Sequence, residues 1–146
     1  MPKRFTLAEA ESLLPEIEKA MREAISHKAG YERAEFAIQA TVQRIMILGG
    51  MMLDSRGVSQ ERTRRDFSAE QLKHALERIH ERGCLVKDLD TGLVDFPTLF
   101  RGREVLLCWK LGETGIRYWH GVEEGFAGRK PIDQDFLDHH QGDPPN

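Results

Sequence analysis

The feature that most constrains the fold is a change of hydrophobic period at Gly83. Before this residue, apolar side chains recur every three or four positions, which is typical of helices that bury one face. After it, short apolar runs are separated by turn residues, which is typical of antiparallel strands. The chain has 146 residues, enough for one domain with a modest core. We therefore predict a single α+β domain over 1–132, with a helical part, 1–82, followed by a β part, 83–132.

A helical hairpin is predicted at the N-terminus. Its first helix opens with a capping box, in which the side chains of Thr6 and Glu9 each bond to the backbone amide of the other residue. Gly30 leaves two possibilities, because a glycine inside a helix costs only about 1 kcal/mol. It either ends the first helix or lies inside one very long helix. A single long helix would need a partner to bury its apolar stripe, so we favour two antiparallel helices that meet near Gly30.

A third helix is predicted to follow a polar segment, 54–66, which we expect to form a loop. Ser68 supplies the N-cap of this helix, and Gly83 ends it. On its outer face, Glu77 and His80 have the spacing of a di-iron motif. Glu77 points away from the apolar face and His80 lies on its flank, and no matching carboxylates accompany them. We therefore interpret them as part of a solvated face.

The β part is predicted to form a small antiparallel sheet packed on the helices. Its four predicted strands are 85–89, 92–96, 104–110 and 116–120. Turn residues separate them, and Pro97 is expected to end the second strand. The acidic tail, 133–146, is expected to be flexible.

Charge and hydropathy limit the classes of function. A net charge of −3 and a pI near 6.1 argue against a dedicated nucleic-acid-binding protein, which is usually strongly basic. The longest uncharged run, 45–53, is too short to span a membrane, and the N-terminus lacks the apolar region of a signal peptide. Cys84 and Cys108 form no CxxC pattern, so we expect no disulfide framework. A cytoplasmic location is the expectation.

One predicted hairpin carries the strongest candidates for chemistry. If strands 104–110 and 116–120 are joined by a five-residue loop, Cys108 lies opposite Tyr118. Cys108 and His120 then become diagonal neighbours on one face of the sheet. A four-residue loop would separate them. The sequence therefore leaves open whether a Cys/His pair exists.

The candidate metal ligands are a histidine, a thiol and three carboxylates, which suit a divalent transition metal of zinc or iron type. They are His120, Glu113, Glu123, Asp95 and Cys108. The competing interpretation is structural: Glu113 pairs with Arg117, and His120 is a half-buried histidine with its hydrogen bonds satisfied. Cys108 would then be a buried core thiol. An organic ligand is a further possibility, contacting Trp109, Tyr118 and Arg129.

Several segments of this chain match a known pattern. They are FTLAEAESLLPEI near the N-terminus and GLVDFPTLFRGREVLLCWKLGE, IRYWH and GFAGRKPI in the β part. Over nearly the whole chain, these segments resemble the bacterial family called domain of unknown function 2203. The resemblance implies a fold unit and no established activity. It also implies a glutamate after the Trp-His pair, where this chain has Gly121, and an acidic residue where it has Glu123. Arg129, near the end of the block, is a potential internal partner for Asp95 or Glu113.

The sequence leaves two main classes of function open, and an enzyme as a third. The one we favour is a non-catalytic binding protein, with a metal or small ligand at the end of the sheet. The other is a structural or interaction module that forms a homodimer or binds a partner through its helical stripes. A metal-dependent hydrolase comes third, because no nucleophile–base pair or cofactor fingerprint is readable. We predict no catalytic residue.

Overall fold

The computed structural model describes residues 3–48 and 55–144. Helix α1 spans Leu7–Ile47 and helix α2 spans Ser55–Glu81, and together they form an N-terminal hairpin. A short helix, α3, spans Gln134–His139. The strands within the described residues are β1 (Leu85–Asp88), β2 (Leu93–Phe100), β3 (Arg103–Lys110), β4 (Tyr118–Gly121), β5 (Lys130–Pro131) and β6 (His140–Gln141), with a 3₁₀ helix at Phe126–Gly128. The predicted α+β class, with a helical hairpin and an antiparallel sheet, is confirmed.

The chain divides into two compact units, which we describe separately. The first comprises Met1–Met21 and Leu76–Asn146, and it contains the sheet, the start of α1 and the end of α2. The second comprises Arg22–Ala75 and contains the rest of the two helices. No helix in the described residues is both long and apolar enough to cross a membrane.

The prediction that the first helix ends at Gly30 is wrong. Gly30 lies inside α1, which continues to Ile47. A Cβ atom built on Gly30 would lie 3.0 Å from the Ser68 Oγ of α2. The glycine therefore lets the two helices approach closely in the second unit, and its role is packing and not termination.

The predicted loop at 54–66 is also wrong for its described residues, because α2 begins at Ser55. Ser68 is consequently an interior residue of α2 and not its N-cap. The polar composition of this segment predicts a loop, but the segment forms the start of a helix with a charged outer surface. Arg65, for example, bonds to Glu35 of α1 across 2.7 Å, a contact between helices that the local sequence does not reveal.

The predicted helix ends in the first unit are confirmed. The Thr6 Oγ1 accepts from the amide of Glu9 at 3.1 Å, and the Glu9 Oε1 accepts from the amide of Thr6 at 3.0 Å. At the other end, α2 stops at Glu81, and Gly83 follows with φ of +91°. That left-handed conformation favours glycine.

The prediction that Pro97 ends the second strand is wrong, because β2 runs through Pro97 to Phe100. The carbonyl of Pro97 accepts from the amide of Phe5 at 2.7 Å. In an antiparallel strand, the N and O of one residue point to the same side. The missing N–H of Pro97 therefore faces Phe5 and removes no hydrogen bond to β3.

The sheet has the order β1-β2-β3-β4-β5, all antiparallel, and β6 adds to the free edge of β2. Its inner face packs against the helix ends of the first unit. The largest buried side chains of this core come from both layers: Phe5, Ile17, Met21, Ile79, Val94, Phe96, Leu107, Trp109 and Phe136. Trp119 is partly buried against the same core.

The expectation of a flexible tail from residue 133 differs from the structure. The Asp133 carboxylate caps α3 by accepting from the amide of Phe136 at 2.9 Å. Phe136 is fully buried, and its ring stacks on Phe100 with centroids 4.9 Å apart. One buried aromatic residue thus anchors a segment that is otherwise acidic and polar.

Candidate metal site

The register of the sheet brings three predicted ligands onto one face. Strands β3 and β4 pair as the five-residue loop requires, with Cys108 opposite Tyr118 and Leu106 opposite His120. On the other side of β3, Asp95 of β2 lies opposite Cys108. Because cross-strand partners share a face and faces alternate along each strand, Asp95, Cys108 and His120 converge.

The three side chains form a buried cluster. Asp95 and Cys108 are each 1% exposed and His120 is 4% exposed. Each offers one ligand atom, and the three atoms all lie within 4.8 Å of one another. Within residues 3–48 and 55–144, no other group of three histidine, cysteine or acidic side chains is this close. Glu77 and His80, the di-iron-like pair, are exposed on α2.

Both ring nitrogens of His120 face oxygen atoms. Its Nδ1 lies 2.8 Å from the carbonyl oxygen of Gly121, which can only accept, so Nδ1 carries a proton. Its Nε2 lies 3.2 Å from the Asp95 Oδ1. A bare imidazole nitrogen and a carboxylate oxygen repel each other, so a proton or a metal ion must lie between them. A histidine that donates its other N–H to a backbone carbonyl is the usual arrangement of a metal ligand.

Asp95 is incompletely bonded. Its Oδ2 is buried and has no hydrogen-bond partner among the described residues. Burial raises the pKa of the Asp95 carboxyl, while the charge and hydrogen bond of His120, the charge of Lys87 and a hydrogen bond with the Cys108 thiol oppose that rise. Leaving a buried polar atom unpaired costs about 1–3 kcal/mol. A bound cation would remove this cost and stabilise the carboxylate.

Cys108 is a thiol at neutral pH in the absence of a metal ion. Burial raises its pKa to about 11, and the neighbouring Asp95 charge adds to the rise, which Arg129 opposes. A thiol is a weak nucleophile. The two ring nitrogens of His120 bond to Gly121 and Asp95, so neither is placed to take the thiol proton. The cluster therefore lacks the geometry of a Cys–His nucleophile.

A cavity of about 160 Å³ opens on the cluster. Asp95, Cys108 and His120 form part of its wall. Its other residues are an apolar group, Leu93, Val122 and Phe126, together with Lys87, Glu124 and Gly125. The cluster is therefore buried but open on one side to a small volume.

Glu113, a predicted ligand, makes a structural ion pair. Its two carboxylate oxygens bond to the two terminal nitrogens of Arg129 at 3.1 and 3.0 Å. The Arg129 guanidinium lies over the rings of Tyr118, at 4.0 Å, and Phe126, at 4.4 Å. One of its nitrogens is 3.9 Å from the Cys108 Sγ. Of the partners considered for Glu113, the structure selects Arg129 and not Arg117, and Arg129 bonds to Glu113 and not to Asp95.

Glu123 and Trp109 lie outside the cluster. Glu123 is exposed and lines a different cavity, beside Trp119 and Lys130. Trp109 is buried on the opposite face of the sheet, and its Nε1 donates to the carbonyl oxygen of Glu113 at 3.0 Å. Its role is core packing and support of the loop.

Lys87 and Glu124 line the cavity but were not among the predicted site residues. Lys87 lies in the predicted strand 85–89 beside a second charged residue, Asp88, so no local signal distinguishes it as a site residue. The Glu124 Oε1 accepts from the amide of Gly121 at 2.8 Å and from the Lys130 ammonium at 2.6 Å. A Cβ atom at Gly121 would lie 2.8 Å from that oxygen, so the glycine after Trp119-His120 makes room for Glu124.

The fold and the cluster together define an α+β protein with a buried Asp/Cys/His group on one face of an antiparallel sheet. Residues 3–132 match the model of a family described as an uncharacterized conserved protein (DUF2203), and the chain belongs to that family. The resemblance to domain of unknown function 2203 is thus confirmed. No curated protein and no solved structure matches the chain significantly.

Proposed function

We propose that this protein binds a divalent transition metal ion, of zinc or iron type, through Asp95, Cys108 and His120. One observation carries the proposal: the His120 Nε2 faces the Asp95 Oδ1 at 3.2 Å while the buried Asp95 Oδ2 has no partner among the described residues. The set of one oxygen, one nitrogen and one sulfur ligand suits borderline-soft ions of this type.

The distances support the same conclusion. Around a tetrahedral zinc ion with bonds of roughly 2.0–2.3 Å, neighbouring ligand atoms lie roughly 3.3–3.6 Å apart. The 3.2 Å separation between His120 and Asp95 is close to this range. The Cys108 Sγ lies within 4.8 Å of both, so the three ligand atoms would have to draw closer around a bound ion.

A binding role is favoured over a hydrolytic one. A metal-dependent hydrolase needs a group that can take a proton from metal-bound water. Glu124 is the remaining carboxylate at the cavity, and its hydrogen bonds from Lys130 and the Gly121 amide hold its pKa below the usual range. Since a carboxylate bonded in this way is a poor base, we assign the site to metal binding.

Metal content is the direct test. The protein is purified without a chelator or a nickel column, and its metal is measured by elemental analysis before and after loading with zinc. We expect close to one ion per chain. The variants Asp95→Asn, Cys108→Ser and His120→Ala should each weaken binding by at least about 100-fold, since even groups behind the ligands contribute 10–100-fold.

Glu123→Gln and His74→Ala are the matched controls, because both residues are exposed and outside the cluster. They should bind as the wild type does. Circular dichroism verifies that each variant is folded. Substoichiometric metal after loading, or unchanged affinity in a folded His120→Ala protein, would remove the proposal.

The alternative function, an interaction module that self-associates through the hairpin, is favoured by one observation. In the second unit, Phe36, Met46 and Ile47 are 75%, 75% and 83% exposed, and apolar side chains that join into a continuous exposed patch are typical of contact surfaces. Light scattering at increasing concentration tests it. A dimer that dissociates in the Ile47→Glu variant supports self-association, and a monomer at high concentration argues against it.

A further inference from the structure

The cavity beside the cluster has the size of a small ligand. Three protein ligands leave a tetrahedral ion one open position, and the cavity adjoins the cluster on one side. Its volume, about 160 Å³, is well below the roughly 300 Å³ at which pockets for drug-sized ligands begin. Nucleotides and similar molecules are therefore too large, while a ligand of a few heavy atoms fits.

The charges around the cavity, once a metal ion is bound, indicate whether the ligand should be an anion or a cation. A divalent ion would balance the Asp95 carboxylate and the Cys108 thiolate. The Glu124 carboxylate is balanced by Lys130, to which it bonds at 2.6 Å. Lys87, an exposed side chain on the cavity wall, adds a further positive charge that acts on Asp95, and within the described residues it has no hydrogen-bond or ion-pair partner. The wall can therefore pair with an anion through Lys87.

The remaining wall of the cavity is apolar. Leu93, Val122 and Phe126 contribute hydrocarbon or aromatic surface. Val122 and Phe126 are 58% and 45% exposed, so a ligand that covers them would remove apolar surface from water. The wall is therefore suited to an anion with a short aliphatic tail, and less suited to inorganic phosphate or sulfate.

We propose that the bound metal ion takes a short aliphatic monocarboxylate, of the propionate type, as its fourth ligand. One carboxylate oxygen binds the ion, Lys87 pairs with the anion, and the aliphatic tail contacts Val122 and Phe126. This inference rests on the proposed metal site, and it adds the chemical class of the ligand. No bond of the ligand is broken in this role.

The visible absorption spectrum of bound Co²⁺ measures both metal binding and ligand binding. The protein is loaded with Co²⁺, whose visible bands and thiolate charge-transfer band report both metal binding and changes in coordination. Propionate is then titrated at constant ionic strength, with propionamide as the neutral ligand of the same shape and malonate as the divalent anion. We expect saturable spectral changes with propionate, none with propionamide and weaker binding of malonate.

Substitutions distinguish the role of Lys87 in binding the anion from the role of the metal ligands. Lys87→Gln should bind Co²⁺ as the wild type does but weaken propionate by about tenfold, the effect of losing one charge-assisted contact. Lys19→Gln, at an exposed lysine of α1 that does not line the cavity, should change neither. Phe126→Ala should weaken butyrate more than acetate.

The possible results discriminate between the two proposals. If Co²⁺ binds and propionate leaves its spectrum unchanged, the ligand inference is overturned and the metal site stands. Equal responses to propionate and propionamide, or to propionate in the wild type and Lys87→Gln, also overturn it, because charge then has no role. If Co²⁺ produces no thiolate band, the metal site and the ligand inference fail together.

Discussion

At the scale of the residue, the candidate site depends on what each polar side chain finds as a partner. Asp95, Cys108 and His120 are all sequence candidates, and the sheet register unites them. Glu113 is equally suited to a metal by its chemistry, yet it bonds to Arg129, 16 positions away along the chain. The sequence identifies potential ligands but not their partners, because the choice is made by tertiary contacts.

The first residue-scale prediction concerns Asp95→Asn. An amide at this position can donate to the His120 Nε2 and removes a buried carboxylate that lacks one partner. The metal-free variant should therefore be as stable as the wild type or more stable. Zinc at about 100 times its dissociation constant should stabilise the wild type by about 2.7 kcal/mol and leave the variant unchanged. Thermal unfolding with and without zinc measures both effects.

Glu104→Gln, an exposed acidic residue of β3, is the control for the loss of one negative charge. It should respond to zinc as the wild type does. Zinc stabilisation of Asp95→Asn equal to that of the wild type would contradict the assignment of Asp95 as a ligand.

The second residue-scale prediction concerns Cys84 and alkaline pH. Burial raises the pKa of this thiol from 9.0 to about 12, so the folded protein holds its proton at pH values where the unfolded chain releases it. The stability due to this thiol is fully present below pH 9 and is lost as the pH rises towards about 12. The loss is at most about 1.4 kcal/mol per pH unit.

Urea unfolding at pH 8 and pH 10.5 measures this effect in the wild type and in Cys84→Ala. The wild type should lose more stability between the two pH values than the variant does. Cys108 is present in both proteins, so its own ionisation cancels in the comparison. Equal losses would mean that the Cys84 thiol ionises as readily in the folded protein as in the unfolded chain.

At the scale of the element, local sequence signals predict the type of an element and its capping residues. Whether an element continues through an interior glycine or proline cannot be predicted from local sequence. The capping box of α1 and the stop at Gly83 are local, and both are confirmed. The elements continue through Gly30 and Pro97, and each of these residues instead contacts one that lies far away in sequence, Ser68 and Phe5 respectively. Glycine and proline therefore predict breaks correctly only where no distant partner uses them.

The element-scale prediction concerns the close approach of the two helices at Gly30. Alanine is favoured over glycine inside a helix by about 1 kcal/mol, but its Cβ would lie 3.0 Å from the Ser68 Oγ. Gly30→Ala alone should therefore stabilise the protein by less than that amount, or destabilise it. In a Ser68→Ala background the close contact with the hydroxyl is absent, and the same substitution should gain about 1 kcal/mol.

A double-mutant cycle of urea unfolding measures the coupling between the two positions. Substituting Ala29, the neighbouring α1 position, by glycine provides a reference for helix propensity at this point of the helix. Equal effects of Gly30→Ala with and without Ser68 would contradict the close packing of α1 on α2 in the second unit.

At the scale of the whole molecule, the family match and the folded structure have different boundaries. The match ends at Ile132, while the first unit continues beyond it. The segment after Ile132 contributes α3 and β6, which pairs with the edge of β2. The His140 Nε2 also accepts from the amide of Leu7 at 3.0 Å, at the start of α1. The segment is acidic and has few apolar residues, so its composition predicts flexibility. Composition does not reveal that one of those residues, Phe136, is part of the core.

The whole-molecule prediction therefore concerns Phe136, which is fully buried and stacks on Phe100 and Trp119 with centroids 4.9 and 5.1 Å apart. Removing a buried phenylalanine side chain typically costs about 3–5 kcal/mol, so Phe136→Ala should lower the free energy of unfolding by about that amount. Leu137→Ala, at a neighbouring residue that is 40% exposed, should cost less than about 1 kcal/mol. Urea unfolding compares them. If both variants lose a similarly small amount of unfolding free energy, the segment after Ile132 is dispensable and the matched region folds by itself. A much larger loss in Phe136→Ala, which we expect, means that the core of this protein extends past the end of the family match.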